Sequence, residues 1–366
     1  MTAMSRRRAI ESALVLLALA AALVPVPATV VERWFSTGIY PRIQHVLTPM
    51  ANLVPFAWFD VILITIVAVT ATALVRTGQQ LRRQRNWRLL GARAWQLVVA
   101  ASVLYVLFLA CWGLNYRRVR MSDRLEMLGT SPGREDVLQL GMTAVGQLNA
   151  LHDSAHRRGW AGNEWRDASL VTAFAQAQRL IEDTPPLAPG RLKPTLLGPY
   201  FRWSSVDGMV DPYALEVLVN PDLLPWERPF VAAHEWSHLA GFADESEASF
   251  VGWLACLRGH EAAQYSGWLY VYWEVVGDVG AEGRQRMNAA LQEGPRRDLA
   301  AIVERLRRGQ FPLLRNASWA VYDQYLRANR VEEGIASYGE VVTLILRARF
   351  DEGYRPVRRV EAAGSR

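Results

Sequence analysis

The sequence predicts a bundle of three transmembrane helices followed by a mainly α domain with a small sheet, which is α+β by class. Three apolar runs long enough to cross a bilayer lie within the first 116 of its 366 residues. From residue 117 onward the apolar residues recur mostly at helical spacing, and one short segment alternates as a strand does. These observations predict a membrane region over 1–116 and a second domain over 117–366.

The three apolar runs span residues of about 12–31, 55–75 and 94–116. A helix needs about 20 consecutive apolar residues to cross a bilayer, and the runs contain only one charged residue, Asp60. The third run is apolar on all sides, which is not typical of a helix that packs one face on a core. Residues 1–28 also resemble a cleavable signal peptide, because Arg6, Arg7 and Arg8 precede an apolar stretch that ends in prolines. A cleaved signal and a retained helix therefore both remain open.

Positive charge is concentrated around the apolar runs. Residues 1–120 carry 14 Arg against three acids, whereas the remaining residues carry 27 basic and 32 acidic side chains. A nucleic-acid-binding protein would place its positive charge on the folded domain, so that class of function is excluded. Cytoplasmic loops collect arginine, and six arginines lie between the second and third runs. We therefore expect that loop in the cytoplasm and the second domain on the outer, periplasmic side of the cell membrane.

The second domain is predicted to be helical on both sides of one strand. Apolar residues recur at helical spacing over 122–180, and a proline-rich loop follows over 185–194. Residues 213–220 are predicted to form a strand, because apolar residues alternate with their neighbours there. Further helices are expected around the motif described next and over about 261–276, 282–308 and 319–349.

Residues 234–238 read His-Glu-Trp-Ser-His, which is the pattern of a zinc-binding helix. Two His residues at i and i+4 project from the same side of a helix, so His234 and His238 can reach one Zn2+ ion. Glu235 lies beside the metal, where it can act as the general base for zinc-activated water. Pro229 suits the first turn of such a helix, and Gly241 suits its end. We therefore predict that the two histidines bind zinc and that Glu235 is catalytic.

A third protein ligand is expected, since catalytic zinc usually keeps three protein ligands and a water. Asp244, Glu245 and Glu247 follow the motif and are the candidates. Asp244 and Glu247 match a capping box at the start of the next helix, which would occupy both side chains. Glu245 is the first choice because it remains free to face His238, while Glu247 is second and Asp244 third. Ser249, one turn further along, is expected to support a His ligand by a hydrogen bond.

Two other groups of residues have both a functional and a structural interpretation. His152 and His156 repeat the i, i+4 spacing, but no Glu follows the first, and a solvated helix face is the preferred interpretation. Tyr338 could donate a hydrogen bond to a developing oxyanion. A packed tyrosine with a satisfied hydroxyl is the commoner role for such a residue.

The run HEWSHLAGFADESEASF over 234–250 resembles the gluzincin peptidases, in which HExxH is followed by ExxA(D/N) carrying the third ligand. It more closely resembles a bacterial family of membrane-anchored, HExxH-containing proteins of unknown function. Other stretches are similar to that family, namely WGLNYRR at 112–118, YSGWL at 265–269 and YDQYLRANRVEEGIASYGEVV at 322–342. The resemblance implies a zincin-like fold with a site formed by His234, Glu235, His238 and Glu245. Ser249 stands where the gluzincin pattern has Asn or Asp.

The sequence therefore predicts a membrane-anchored zinc-dependent hydrolase, specifically a metallopeptidase. The segment 213–220 favours a peptide substrate, since an edge strand beside the motif helix can pair with an extended polypeptide. Two alternatives remain open, a zinc hydrolase of a non-peptide substrate and a non-catalytic membrane scaffold that keeps the fold. The intact Glu235 counts against the scaffold, which needs no base at that position. The expected cofactor is Zn2+, and the expected partners are the lipid bilayer and a polypeptide substrate.

Overall fold

The computed structural model describes residues 3–84, 87–129, 131–160, 167–331 and 340–359. These residues are mainly helical, and their strands form one three-stranded mixed sheet and one two-stranded sheet. The predicted predominance of helix and the small sheet are therefore confirmed.

The helices and strands are numbered in chain order. The first five helices are α1 (Ala3–Leu23), α2 (Ala28–Val31), α3 (Tyr40–Asn52), α4 (Trp58–Gln84) and α5 (Arg88–Cys111), with a π-helical segment at Glu32–Ile39. The later helices are α6 (Met121–Arg124), α7 (Arg134–Arg158), α8 (Ala168–Ile181), α9 (Gly198–Ser204), α10 (Arg228–Leu239), α11 (Glu245–Arg258), α12 (Glu261–Asp278), α13 (Gly280–Ala290), α14 (Glu293–Gly309), α15 (Pro312–Ala328) and α16 (Glu340–Arg347). The strands are β1 (Leu192–Lys193), β2 (Gly208–Asp211), β3 (Glu216–Val219), β4 (Phe350–Asp351) and β5 (Arg355–Pro356).

Two helices of the described chain, α4 and α5, have the length and hydropathy of membrane spans. The first predicted run differs from these two helices. Helix α1 has the length and hydropathy of a membrane span only when it is taken together with residues 28–52, and these residues bend away from it by 117°. Pro25 and Pro27 occupy the break, and a proline disfavours helix in the residue before it. The apolar helix of the first run ends at Leu23 and the chain then turns, so the run over 12–31 is not one continuous helix. The structure supports two or three spans.

The helix α1 lies along α5. The indole nitrogen of Trp95 donates to Glu11 at 2.9 Å, and Arg117 donates to the carbonyl of Ala21 at 2.8 Å. Cleavage near residue 28 would remove both acceptors.

The helices α10 and α11 pack closely at the centre of the second domain. Gly252 of α11 lies against the backbone of His234, and a Cβ at this position would stand 3.0 Å from the His234 nitrogen. Such a close approach of two backbones requires glycine. Gly241 has a φ of +93° and ends α10, as the sequence predicts, so that the chain reverses into α11. This reversal places the start of α11 next to the motif residues of α10.

The three-stranded sheet lies beside α10 and has the order β1-β3-β2, with β1 parallel and β2 antiparallel to β3. The predicted strand 213–220 is shorter than expected. Residues 212–215 form a turn in which Leu215 has a φ of +50°, and only Glu216–Val219 are extended. Moreover, β3 is the central strand of this sheet, so the prediction that it is the edge strand is wrong. The edge strand beside α10 is β2, which is only four residues long.

A buried ion pair joins the sheet to the membrane region. Lys193 of β1 and Glu216 of β3 are both fully buried, and their charged atoms are 2.6 Å apart. Lys193 also donates to the carbonyl of Ala51 at 2.7 Å, while the Phe59 backbone N–H donates to Glu216 at 2.8 Å. The pair therefore ties both strands to the end of α3 and the start of α4.

Replacing Lys193 by Met is expected to lower the free energy of unfolding by about 3–5 kcal/mol, because Glu216 would remain buried without its cation. The double variant Lys193→Met, Glu216→Gln removes both charges and keeps an acceptor for Phe59, so it should recover most of that loss. Unfolding of the purified protein in detergent, followed by denaturant titration, measures both effects. Equal destabilisation of the two variants would contradict this account.

Candidate metal centre

The two histidines of the motif lie together on one side of α10. The helix begins at Arg228, with Pro229 in its first turn, where the missing N–H of proline costs nothing. The Nε2 atoms of His234 and His238 are 3.1 Å apart. The Nε2 atoms of both imidazole rings therefore face one point.

Glu245, the first residue of α11, completes the group. Its Oε2 atom is 3.3 Å from Nε2 of His234 and 3.3 Å from Nε2 of His238. Ligands at 2.0–2.1 Å from a tetrahedral metal are about 3.3 Å from one another, so the three atoms have the spacing of a zinc ligand set. The Oε2 atom is also buried and has no hydrogen-bond partner among the described residues. A buried polar atom without a partner is costly, and a bound metal ion would satisfy it.

Each imidazole is held through its second nitrogen. Nδ1 of His238 is 2.8 Å from the carbonyl of Phe242. Since a carbonyl only accepts, Nδ1 carries the proton and Nε2 keeps its lone pair for a metal. Nδ1 of His234 is 3.2 Å from Oγ of Ser249, the contact expected from the sequence. Such outer contacts fix the ring orientation of metal ligands in zinc enzymes.

The other two ligand candidates lie outside this group. Asp244 caps α11, as the sequence predicts, by accepting from the backbone N–H groups of Ser246 and Glu247 at 2.9 and 3.2 Å. Glu247 does not complete the capping box, because its carboxylate accepts from the backbone N–H of Met121 at 2.5 Å. Burial raises the pKa of Glu247 to about 7.

Glu235 is buried beside the two histidines. Its Oε2 atom has no hydrogen-bond partner in the described part of the chain. Gly208 of β2 lies directly against its carboxyl group, and a Cβ at position 208 would overlap it. A larger residue at position 208 would therefore displace the Glu235 carboxyl group from this position.

The electrostatic environments of the two glutamates differ. Burial acts to raise the pKa of Glu245, but the adjacent His238 and His234 outweigh it and hold that pKa well below its usual value. Burial raises the pKa of Glu235 to about 8. The pKa values of the two buried carboxyl groups therefore move in opposite directions, because only Glu245 contacts both histidines.

A cavity of about 410 Å³ opens onto the group. His234, Glu235, His238 and Glu245 all line it, together with Gly208, Met209 and Val210 of β2. Aromatic side chains from α9, α15 and the end of α5 form most of the remaining wall, namely Trp112, Tyr116, Tyr200, Phe201, Trp319, Tyr322 and Tyr325. A cavity of this size with few polar groups is typical of a ligand site.

The hydroxyl of Tyr322 donates to Oε1 of Glu245. Sequence reasoning missed this residue, because α15 reaches the centre from 77 positions further along the chain. The only available signal was that Tyr322 begins one of the stretches resembling the membrane-anchored HExxH family. Tyr338, the tyrosine considered from the sequence, lies outside the described residues.

His152 and His156 do not form a simple solvated helix face. His156 Nε2 is 2.8 Å from a carboxylate oxygen of Asp298 on α14, and the Tyr265 hydroxyl donates to the same oxygen at 2.7 Å. The ligand atoms of His152, His156 and Asp298 lie within 4.8 Å of one another, so this is a second group that could hold a metal. Its closest contacts are already hydrogen bonds, and these join α7 to α14.

Comparison with known proteins identifies the family. A family model described as "Protein of unknown function (DUF3810)" matches residues 35–346, which include α10, α11 and α15. No curated protein and no solved structure matches the chain. The matched region covers most of the 366 residues. The chain therefore belongs to the DUF3810 family.

Proposed function

We propose that the protein is a membrane-anchored, zinc-dependent hydrolase, and specifically a metallopeptidase. The observation that supports this most strongly is the mutual spacing of 3.1–3.3 Å between the three potential ligand atoms. Two imidazoles and one carboxylate are the protein ligands of known catalytic zinc sites in peptidases. The adjoining cavity leaves room for water or substrate at the fourth position.

Zinc at this position would supply Lewis acidity, lowering the pKa of water towards about 7 and polarising a substrate carbonyl. Glu235 lines the same cavity and is proposed to take a proton from the attacking water and pass it to the leaving amine. His234, His238 and Glu245 are proposed to hold the metal. Tyr322 orients Glu245 through its hydrogen bond.

The strand β2 supports a polypeptide substrate. Among the described strands it pairs with β3 alone, and its residues Gly208, Met209 and Val210 line the cavity. An extended peptide that pairs with this outer edge would lie beside Glu235 and His234. An edge strand, a motif helix and a helix carrying a third ligand also support a zincin-like arrangement for residues 117–366.

The proposed activity is tested with full-length protein purified in lipid nanodiscs and loaded with zinc. We expect it to cleave members of a mixed-sequence peptide library, with new amino termini detected by mass spectrometry. A chelator should remove the activity, and added zinc should restore it. Activity that survives complete removal of the metal would contradict the proposal.

We also propose that the second domain lies on the outer side of the membrane. Six arginines lie between the two apolar runs, at positions 76, 82, 83, 85, 88 and 93, and they support a cytoplasmic location for the end of α4 and the start of α5. A reporter that is active only in the periplasm should therefore be active when fused after Asp136. Activity of a cytoplasm-specific reporter at the same junction would reverse the orientation.

A further inference from the structure

The cavity at the metal centre rests on the C-terminal end of α5. Trp112 and Tyr116, which directly follow this helix, are part of the cavity lining. The indole nitrogen of Trp112 donates to the carbonyl of His238 at 2.9 Å. The residue that directly follows the candidate membrane span therefore contacts the motif helix.

Two parts of the chain at or next to the cavity lining contact α5 one helical turn apart. Next to the lining residue Pro212, the hydroxyl of Tyr213 lies 3.4 Å from the carbonyl of Leu104. On the α15 side, the ring centroids of Tyr325 and Phe108 are 6.2 Å apart. Leu104 and Phe108 are one helical turn apart and share a face of α5.

These contacts lie well inside the apolar part of α5. Arg93 is the last charged residue of this helix, and about 20 residues beyond it, rising 1.5 Å each, cross the roughly 30 Å hydrocarbon core and reach about position 113. Leu104 then lies about 13 Å inside the boundary, and Phe108 about 8 Å inside it. Residues at or next to the cavity lining thus contact α5 at the expected level of the lipid chains.

The side chains around this end of the cavity are suited to lipid. Apart from His234, Glu235, His238 and Glu245, the described lining residues carry no charge. The neighbouring helix α15 has two largely exposed apolar side chains, Leu313 at 77% and Val321 at 68%. Exposed apolar residues grouped beside membrane spans are expected to face the bilayer.

We propose that the metal centre takes its substrate from the bilayer. The substrate would be a membrane-spanning polypeptide whose helix lies against the exposed side chains of Leu104 and Leu107 on α5. Its first residues beyond the hydrocarbon would extend along β2 to Glu235. This inference rests on the proposed peptidase function and assigns its substrate class.

The placement of α15 is tested without any measurement of activity. Spin labels are attached at Leu313→Cys, Leu107→Cys and Gln285→Cys in a background that lacks Cys111 and Cys256. Each label reports its contact with lipid-soluble oxygen and with a water-soluble nickel complex. Leu107 is on α5, and Gln285 is exposed on α13. The oxygen-to-nickel ratio at position 313 should match that at 107 and exceed that at 285 several-fold. A ratio at 313 equal to that at 285 would overturn the proposal.

Substrate selection is tested with one mixed-sequence peptide library in three forms, in nanodiscs carrying the full-length protein. The library is free, anchored by an acyl chain, or fused to a single apolar helix of about 20 residues. Anchoring alone raises the effective concentration, so the acyl form is the control. We expect the helix-fused form to be cleaved about ten-fold faster than the acylated form, beyond the effect of concentration. Equal rates for the two anchored forms would overturn the proposal.

A variant at the lipid-facing surface separates this inference from the peptidase function. Leu313→Glu should slow cleavage of the helix-fused library while leaving hydrolysis of the free library and the zinc content unchanged. Gln285→Glu is the control and should change none of the three. If no form is cleaved by zinc-loaded protein, the peptidase function fails, and the spin-label ratio alone then decides whether the cavity faces lipid.

Discussion

Replacing Glu235 by Gln is expected to lower peptide hydrolysis by about two to four orders of magnitude, the usual contribution of general acid–base catalysis. Glutamine has the size of glutamate and fits the same buried space beside Gly208. It cannot accept a proton from water or return one to the leaving amine. Zinc content and thermal stability should remain at the wild-type level, because Glu235 lies outside the three-atom ligand group. Parallel measurement of hydrolysis, bound zinc and melting temperature tests all three expectations.

The matched control for this variant is Glu247→Gln. Glu247 is equally buried, and the amide oxygen of glutamine can still accept from Met121. Hydrolysis by this variant should therefore stay close to the wild-type rate. If Glu235→Gln cleaves peptides as fast as the wild type, the proposed mechanism is wrong, and a scaffold or another zinc reaction becomes the better interpretation.

Replacing Glu245 by Ala should remove most of the bound metal. We expect about one zinc per wild-type chain at this centre. Loss of one of three protein ligands should weaken binding by more than the roughly 10–100-fold that is typical of changes to outer hydrogen bonds. Metal analysis after dialysis against a zinc buffer measures the occupancy. Two imidazoles alone would leave the ion with too few protein ligands.

Two controls make the metal measurement specific. Glu247→Ala tests the ligand ranked second from the sequence, and it should keep the zinc. His156→Ala removes one member of the second group of potential ligands, and it should also leave one zinc per chain. Should Glu247→Ala be the variant that loses zinc, Glu247 would replace Glu245 as the third ligand. Zinc lost from the His156→Ala protein would instead place metal between α7 and α14.

The parts of the site that could be predicted from the sequence depend on local geometry. His234 and His238 share a helix face because of their i, i+4 spacing. The side chain of Asp244 caps α11 by accepting from backbone N–H groups two and three residues further along. Because this contact is local, the sequence predicts it. Elimination of Asp244 and Glu247 then pointed to Glu245. In the structure Glu245 lies beside the two histidines, whereas Glu247 accepts from Met121 and does not take part in the cap.

The parts that could not be predicted depend on distant contacts. Strand β2 is four residues long and contains no alternating pattern of its own, so its place at the sheet edge follows only from pairing with β3. Tyr322 reaches Glu245 only because α15 folds over the cavity. The apolar pattern does not reveal the break after Leu23, because the prolines at 25 and 27 lie within a run that is otherwise apolar.

The buried ion pair between β1 and β3 also determines how the chain responds to chemical labelling. Lys193 is the only lysine in the sequence, and its ammonium group is fully buried against Glu216. Amine-reactive dyes and crosslinkers should therefore leave every side chain of the folded protein unmodified. Modification of Lys193 would report opening of the sheet that contains β2. Lys193 can thus serve as a chemical probe of local unfolding next to the candidate metal centre.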